Sequence, residues 1–93
     1  VESHHTSKLD APSGTALTLG RAAEQGKAAP RYASIRAGDI VGEHSVLFTS
    51  LGERVELVHR AMDRDIFARG ALHAARMLHG REPQQYLVRD LLA

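Results

Sequence analysis

The sequence predicts an α+β fold, a small mixed, largely antiparallel sheet of about four strands packed against two helices. Two neighbouring segments, His44–Ser50 and Arg54–Ala61, alternate apolar and polar residues as half-buried strands do. Two others, Gly14 to about Gln25 and Asp63 to about His79, carry apolar residues at helical spacing. At 93 residues the chain is long enough for one small domain with a single core.

In chain order, Val1 to His5 fits the end of a strand, and Thr6 to Pro12, with a proline and an aspartate, fits a loop. Ser13 is a good N-cap for the first helix, whose apolar residues are Leu17, Leu19, Ala22 and Ala23. Gly26 is a suitable stop, and Gly26 to Pro30 is a linker. Tyr32 to Arg36 reads as a strand, and Gly38 to Gly42 as a turn or bulge. Leu51-Gly52-Glu53 has the length and the glycine of a hairpin loop. In the two long strands Val46 and Phe48 oppose Leu47 in facing, and Val55, Leu57 and His59 share a face opposite to Glu56, Val58 and Arg60. Asp63 can cap the second helix, with Phe67, Ala71, Ala74, Ala75 and Leu78 as its stripe and Gly80 just past its end. Gly70 costs that helix stability, which predicts close packing there. Pro83 breaks the chain, and Tyr86 to Ala93 is a short apolar tail.

Composition removes several classes of function. Twelve basic and eleven acidic residues are interspersed for a net charge of +1, which gives no footprint for nucleic acid or a membrane surface. Without cysteine there are no disulfides and no thiolate metal sites, and a reducing compartment is permitted. No apolar run approaches a membrane span. The chain opens on Val1 rather than Met, and we expect it to be a piece of a longer protein.

The chemistry is concentrated between Glu2 and Ala16. His4, His5 and Lys8 lie within five residues of one another, directly before a helix N-terminus that offers the backbone N–H groups of Gly14, Thr15 and Ala16. With the Thr15 hydroxyl and the positive end of the helix dipole, such a terminus favours an anion, commonly a phosphate or carboxylate. Lys8 adds a full charge, and a histidine can move a proton near neutral pH. These residues alone point to an anionic small molecule and acid–base chemistry without naming a reaction. Plainer readings compete: a solvated His pair, a loop cation at Lys8, and Ser13-Gly14 as only a cap and a turn. Successive strand residues face opposite sides, so a metal on both His4 and His5 is disfavoured. Zinc would need a further ligand such as His44 or His59, which the spacing does not demand.

The order of the residues adds a resemblance. The string E-x-H-H-x-x-K-x-D-A-P-S-G-T-A, Glu2 to Ala16, resembles the signature of the dihydrodipicolinate reductases. Arg36-Ala37-Gly38-Asp39-Ile40-Val41-Gly42-Glu43-His44 is similar to the family's R-x-G-x-I-x-G-x-H segment. Gly52-Glu53, His59-Arg60-Ala61 and Phe67-Ala68-Arg69-Gly70-Ala71 follow in the family's order, so the resemblance covers nearly the whole chain. The stretch Gly20–Ile35 is shorter than in many members, which reduces a loop on the substrate side.

The resemblance implies that residues 1–93 are the C-terminal substrate-binding and oligomerisation domain of an NAD(P)H-dependent reductase of lysine and diaminopimelate biosynthesis. It implies that the enzyme reduces a cyclic imine dicarboxylate, 4-hydroxy-tetrahydrodipicolinate, to tetrahydrodipicolinate. A separate N-terminal Rossmann domain is then expected to hold NADH or NADPH, with residues 84–93 packed on it; the glycines here form no G-x-G-x-x-G. By the same resemblance His4 is a proton donor or acceptor, Lys8 a proton donor, His5 a substrate-binding residue, and Gly14 and Thr15 grip a carboxylate. Asp10 and Pro12 are expected to shape the loop that carries Lys8. His44 and His59 are expected as strand residues packed or hydrogen-bonded within the sheet, while Arg36 and Arg69 are candidates to reach the site. The family's domains associate through their sheets, which implies a cytoplasmic homotetramer. Two other classes stay open at this point: a non-catalytic oligomerisation module of the same fold, and a His-based metal-binding domain.

Overall fold

The computed structural model describes residues 1–26 and 28–92; Lys27, in the expected linker, and Ala93, at the end of the expected tail, lie outside them. The elements are β1 (Glu2–His4), α1 (Gly14–Glu24), β2 (Ser34–Arg36), β3 (Gly42–Ser50), β4 (Glu53–Ala61), α2 (Asp65–Leu78) and α3 (Val88–Leu91). The four strands form one mixed sheet in the order β2-β1-β3-β4. β1 runs parallel to β2 and antiparallel to β3, and β3 and β4 form an antiparallel hairpin. The expected α+β fold with a largely antiparallel four-stranded sheet is therefore present, with a third, short helix in the tail.

The chain divides into two compact units, Val1–Met62 and a second from Asp63 onward. In the first, α1 lies against β3. Ser13 caps α1 as its sequence predicts, its hydroxyl accepting from the Ala16 N–H at 3.1 Å. The helix ends in two left-handed residues, Gln25 (φ 44°) and Gly26 (φ 77°), so the reversal starts one residue before the glycine. The absence of a side chain at Gly20 has a packing reason, because a Cβ there would collide with the Tyr32 hydroxyl.

Several boundaries move. β2 starts at Ser34 rather than Tyr32, and Gly42 belongs to β3 rather than to the preceding turn. Ser50 pairs with Glu53, which leaves a two-residue hairpin loop, Leu51-Gly52, instead of three residues. Gly52 adopts φ 79°, a conformation glycine takes without steric cost.

In the second unit α2 packs with α3, and Leu91 is the buried apolar residue. The N-cap of α2 is Arg64, without a side-chain cap, rather than the expected Asp63, which stands one residue earlier with its carboxylate accepting from the Asp65 N–H at 2.8 Å. The expected close packing at Gly70 is not found, since a Cβ built there meets nothing within 4 Å among the described residues. Gly70→Ala is thus expected to strengthen the helix by about 0.8–1.0 kcal/mol. Circular dichroism of a peptide spanning 63–81 checks this, and equal or lower helix content in the alanine peptide would contradict it.

Candidate active site

The site is built on the face of the sheet that β1 shares with its neighbours. Register places Ser34, Glu2, His44 and His59 in one row, and Arg36 beside His4 in the next. Residues opposite each other in paired strands share a face, and so do residues two apart along a strand. Glu2 and His4 are therefore brought to one side with Arg36 and His44, while Ser3 turns away.

Glu2 is the most deeply buried side chain of the cluster, 1% exposed. Arg36 Nη1 donates to both of its oxygens, at 2.8 and 3.0 Å, and His4 Nδ1 lies 2.6 Å from Oε1. Burial acts to raise its pKa, but hydrogen bonds from Arg36, Ser34 and His4 and the Arg36 charge outweigh this and hold it at about 2. A carboxylate is kept ionised in the interior because it is paired and hydrogen-bonded. Arg36 also donates to the carbonyls of Ile35 (2.9 Å) and Asp10 (2.6 Å), so one guanidinium ties β1, β2 and the loop after β1 together.

The His4 ring meets the His44 ring edge-on, with centroids 5.1 Å apart and planes at 73°. His44 Nε2 lies 3.0 Å from Ser13 Oγ, the atom that accepts the Ala16 N–H. A path of direct contacts thus runs from Glu2 through His4 and His44 to the N-terminus of α1. Burial, with the charges of His4 and His59, lowers the His44 pKa against the opposing pull of Glu2, which favours the neutral ring. Neutral His44 can accept a hydrogen bond from the Ser13 hydroxyl on Nε2 while Ser13 accepts from the helix.

At that terminus Leu17 N–H bonds to the Ser13 carbonyl and Ala16 N–H to the Ser13 hydroxyl. The expectation that Ala16 offers a free N–H is therefore corrected, because the cap consumes it. Gly14 and Thr15 make no backbone N–H bond among the described residues, and a Cβ at Gly14 would meet nothing within 4 Å. Two N–H donors at the positive end of an eleven-residue helix are thus left without a protein partner among the described residues, both on exposed residues.

The loop after β1 is held by Thr6 N–H to the Gly38 carbonyl at 3.2 Å, and by Ala37 N–H to the His4 carbonyl at 3.0 Å. Lys8 Nζ pairs with Asp10 Oδ1 at 3.0 Å; this hydrogen bond holds the exposed Asp10 carboxyl below its ordinary range. Among the described residues no group of three or more metal-ligating side chains is arranged to hold an ion. No helix among them is long and apolar enough to cross a membrane.

A family model described as "Dihydrodipicolinate reductase, C-terminus" matches residues 1–92. The chain belongs to this family. The 4-hydroxy-tetrahydrodipicolinate reductase of Stenotrophomonas maltophilia (strain K279a) is 76% identical to it over 92 residues. The enzymes of the same name from Xanthomonas campestris pv. campestris (strain B100) and Xylella fastidiosa (strain 9a5c) are 71% and 66% identical. Each match covers 99% of this chain, but the chain spans only 38% of the Stenotrophomonas relative and 39% of the other two. The fold is similar to that of a solved structure titled "Dipicolinate bound Dihydrodipicolinate reductase from Paenisporosarcina sp. TG-14", with a TM-score of 0.72 at 24% identity. That likeness covers 96% of this chain and 42% of the solved one.

Of the residues to which the dihydrodipicolinate reductase resemblance points, His4 and the α1 terminus with Gly14 and Thr15 are linked by the contacts above. Lys8 lies on the adjoining loop in its pair with Asp10. His5 follows the last residue of β1 and makes no side-chain hydrogen bond among the described residues. Arg36 is inside the cluster, bound to Glu2. Arg69 lies on α2, in the second unit. His44 is hydrogen-bonded, though to the helix cap rather than within the sheet, and His59 is exposed rather than packed. Glu2 has no role in the sequence reading. Its signal is nevertheless present in E-x-H: a carboxylate two residues from a histidine on one strand shares its face.

Proposed function

We propose that the whole protein is an NAD(P)H-dependent 4-hydroxy-tetrahydrodipicolinate reductase of lysine and diaminopimelate biosynthesis, with this chain supplying the substrate site. The observation that carries the reading is the pair of N–H groups at Gly14 and Thr15 left without a partner among the described residues, directly after Ser13, which His44 joins to the carboxylate-bound His4. A dicarboxylate substrate would place one carboxylate on those donors, where the helix dipole and charge-assisted hydrogen bonds stabilise it. Lys8, released from its exposed and therefore weak pair with Asp10, supplies a cation and a proton. His4 moves a proton at the ring as the substrate is reduced, and His5 completes the binding surface.

The residues here do not suit a dinucleotide. They contain no G-x-G-x-x-G turn between a strand and a helix, and α1 is preceded by Asp10-Ala11-Pro12-Ser13. NADH or NADPH, which supplies the hydride, is therefore assigned to the rest of the protein, and residues 84–93 to packing against it.

Association into a cytoplasmic homotetramer belongs to the same proposal. Its support is the apolar surface left uncovered on both faces of the β3–β4 hairpin: Val55 and Leu57 on one side, Val58 on the other. A module kept only for association would have no use for a buried Glu2–His4–Arg36 cluster, which favours the enzyme reading.

The test of function is turnover by the whole protein. Oxidation of NADH or NADPH should require the cyclic imine dicarboxylate, and oxidation at the same rate without it would defeat the proposal. Within that assay Gly14→Pro, which removes one N–H donor, and Thr15→Ala, which removes the hydroxyl beside the other, should mainly raise KM. A lost charge-assisted hydrogen bond is worth about 1.5–3 kcal/mol, roughly a tenfold to hundredfold change. Gly14→Pro should leave the fold intact, since proline is accepted at the first position of a helix and a Cβ there enters open space. A normal KM in both variants would place the carboxylate elsewhere.

A further inference from the structure

We infer that Glu2 is a positioning residue that holds His4 in a single tautomer, with hydrogen on Nδ1, so that Nε2 is the atom that takes up and delivers the proton. The inference rests on the reading of His4 as an acid–base group.

Donors and acceptors decide the tautomer. An ionised carboxylate can only accept hydrogen bonds, and both Glu2 oxygens already accept from Arg36. The 2.6 Å contact between Oε1 and His4 Nδ1 is a hydrogen bond only if Nδ1 carries the hydrogen. The opposite tautomer would set two lone pairs against each other at a buried oxygen, where no water offsets the repulsion. Glu2 has no room to turn aside: its side chain is 1% exposed, and Ser34 as well as Arg36 hydrogen-bonds it.

The other ring nitrogen has different surroundings. His4 Nε2 has no hydrogen-bond partner among the described residues. Arg36 Nε is the one buried side-chain nitrogen or oxygen among them without a partner, so Nε2 is within reach of solvent or a ligand. Across the strand pair, the missing side chain of Gly42 leaves the ring its room, since a Cβ there would stand 3.3 Å from Nε2 and 3.5 Å from Cδ2. The neutral ring thus presents a lone pair at Nε2 and the charged ring an N–H at the same atom. Nδ1–H stays bonded to Glu2 throughout, and the carboxylate offsets the imidazolium charge as it forms.

Nitrogen NMR of histidine-labelled whole protein reads the tautomer directly, the His4 signals being identified by their loss in His4→Gln. Above the titration of the ring, a protonated Nδ1 and an unprotonated Nε2 are expected. In Glu2→Gln the tautomer should become mixed, with kcat lowered about 10- to 100-fold, the usual effect of losing such a carboxylate partner, and KM within about threefold. Arg36→Met breaks the same buried pair but leaves Glu2 against Nδ1, so there the tautomer should persist. If Glu2→Gln does not fold, the wild-type and Arg36→Met spectra decide alone.

A wild-type ring protonated at Nε2 overturns the inference, as does a Glu2→Gln enzyme with unchanged tautomer and kcat. An equal loss of the tautomer in Arg36→Met also overturns it by reducing Glu2 to a structural role. Near-normal kcat in His4→Ala with Nδ1–H intact would instead overturn the acid–base reading, and with it proton delivery from Nε2.

Discussion

In the whole protein His4→Ala and Lys8→Ala are each expected to lower kcat by about 10²–10⁴, the usual range for a general acid or base. Adding hydride to a conjugated imine leaves electron density that a proton must quench, so interactions with the proton donor grow toward the transition state. Their loss therefore falls on kcat and kcat/KM together, unlike the KM effect expected at Thr15. The surroundings separate the two residues further. His4 is 12% exposed and held by Glu2, so its replacement removes a preorganised group. Lys8 is paired with a mostly exposed Asp10, and its ammonium can also meet a substrate carboxylate, so Lys8→Ala should raise KM as well. Steady-state kinetics with circular dichroism on each variant makes the comparison. Near-normal kcat in both would leave the two residues with substrate binding alone.

The second large effect concerns stability. Arg36→Met leaves the buried Glu2 carboxylate without its strongest partner, and such a break typically costs about 3–5 kcal/mol. Acid should act through the same pair. The Glu2 pKa is lowered from 4.5 to about 2 in the folded state, so its stabilisation is complete above the unfolded value and is lost as pH falls from 4.5 toward 2. That difference corresponds to roughly 3 kcal/mol. His44 works in the same direction at higher pH: its folded pKa lies below 6.5, so stability declines as pH drops below 6.5. Urea midpoints measured across pH should fall on the acid side in the wild type. Arg36→Met should begin lower and lose less between pH 4.5 and 2. A wild-type midpoint that does not change over this interval would show that Glu2 gains nothing from its partners.

The parts of this fold legible in the sequence are those with enough residues to show a period. β3 and β4 span nine residues each, and α1 and α2 eleven and fourteen, so alternation, helical spacing and the cap at Ser13 all register. β1 and β2 have three residues each and α3 four, too few for periodicity to distinguish strand, helix and loop. The candidate site divides in the same way. Gly14 and Thr15 follow from local cap chemistry, whereas the Glu2–Arg36 pair joins positions 34 residues apart and exists only through the parallel register of β1 and β2. His44 reaches Ser13 across 31 residues because α1 lies against β3. Sheet register lies outside what spacing along one strand can reveal. Gly70 shows the converse, a local inference of close packing that no neighbour in the described structure satisfies.

The claim on which the rest depends is that the α1 terminus receives a carboxylate beside His4. Amide NMR of the whole protein, titrated with pyridine-2,6-dicarboxylate as a stable analogue, tests it most directly. Saturable shifts are expected at the Gly14 and Thr15 amides, the two donors left free by the cap, together with the His4 ring. Ala16 should move less because its N–H is already given to Ser13. Saturable binding that leaves the Gly14 and Thr15 amides unmoved would contradict the claim and put the dicarboxylate in another part of the protein.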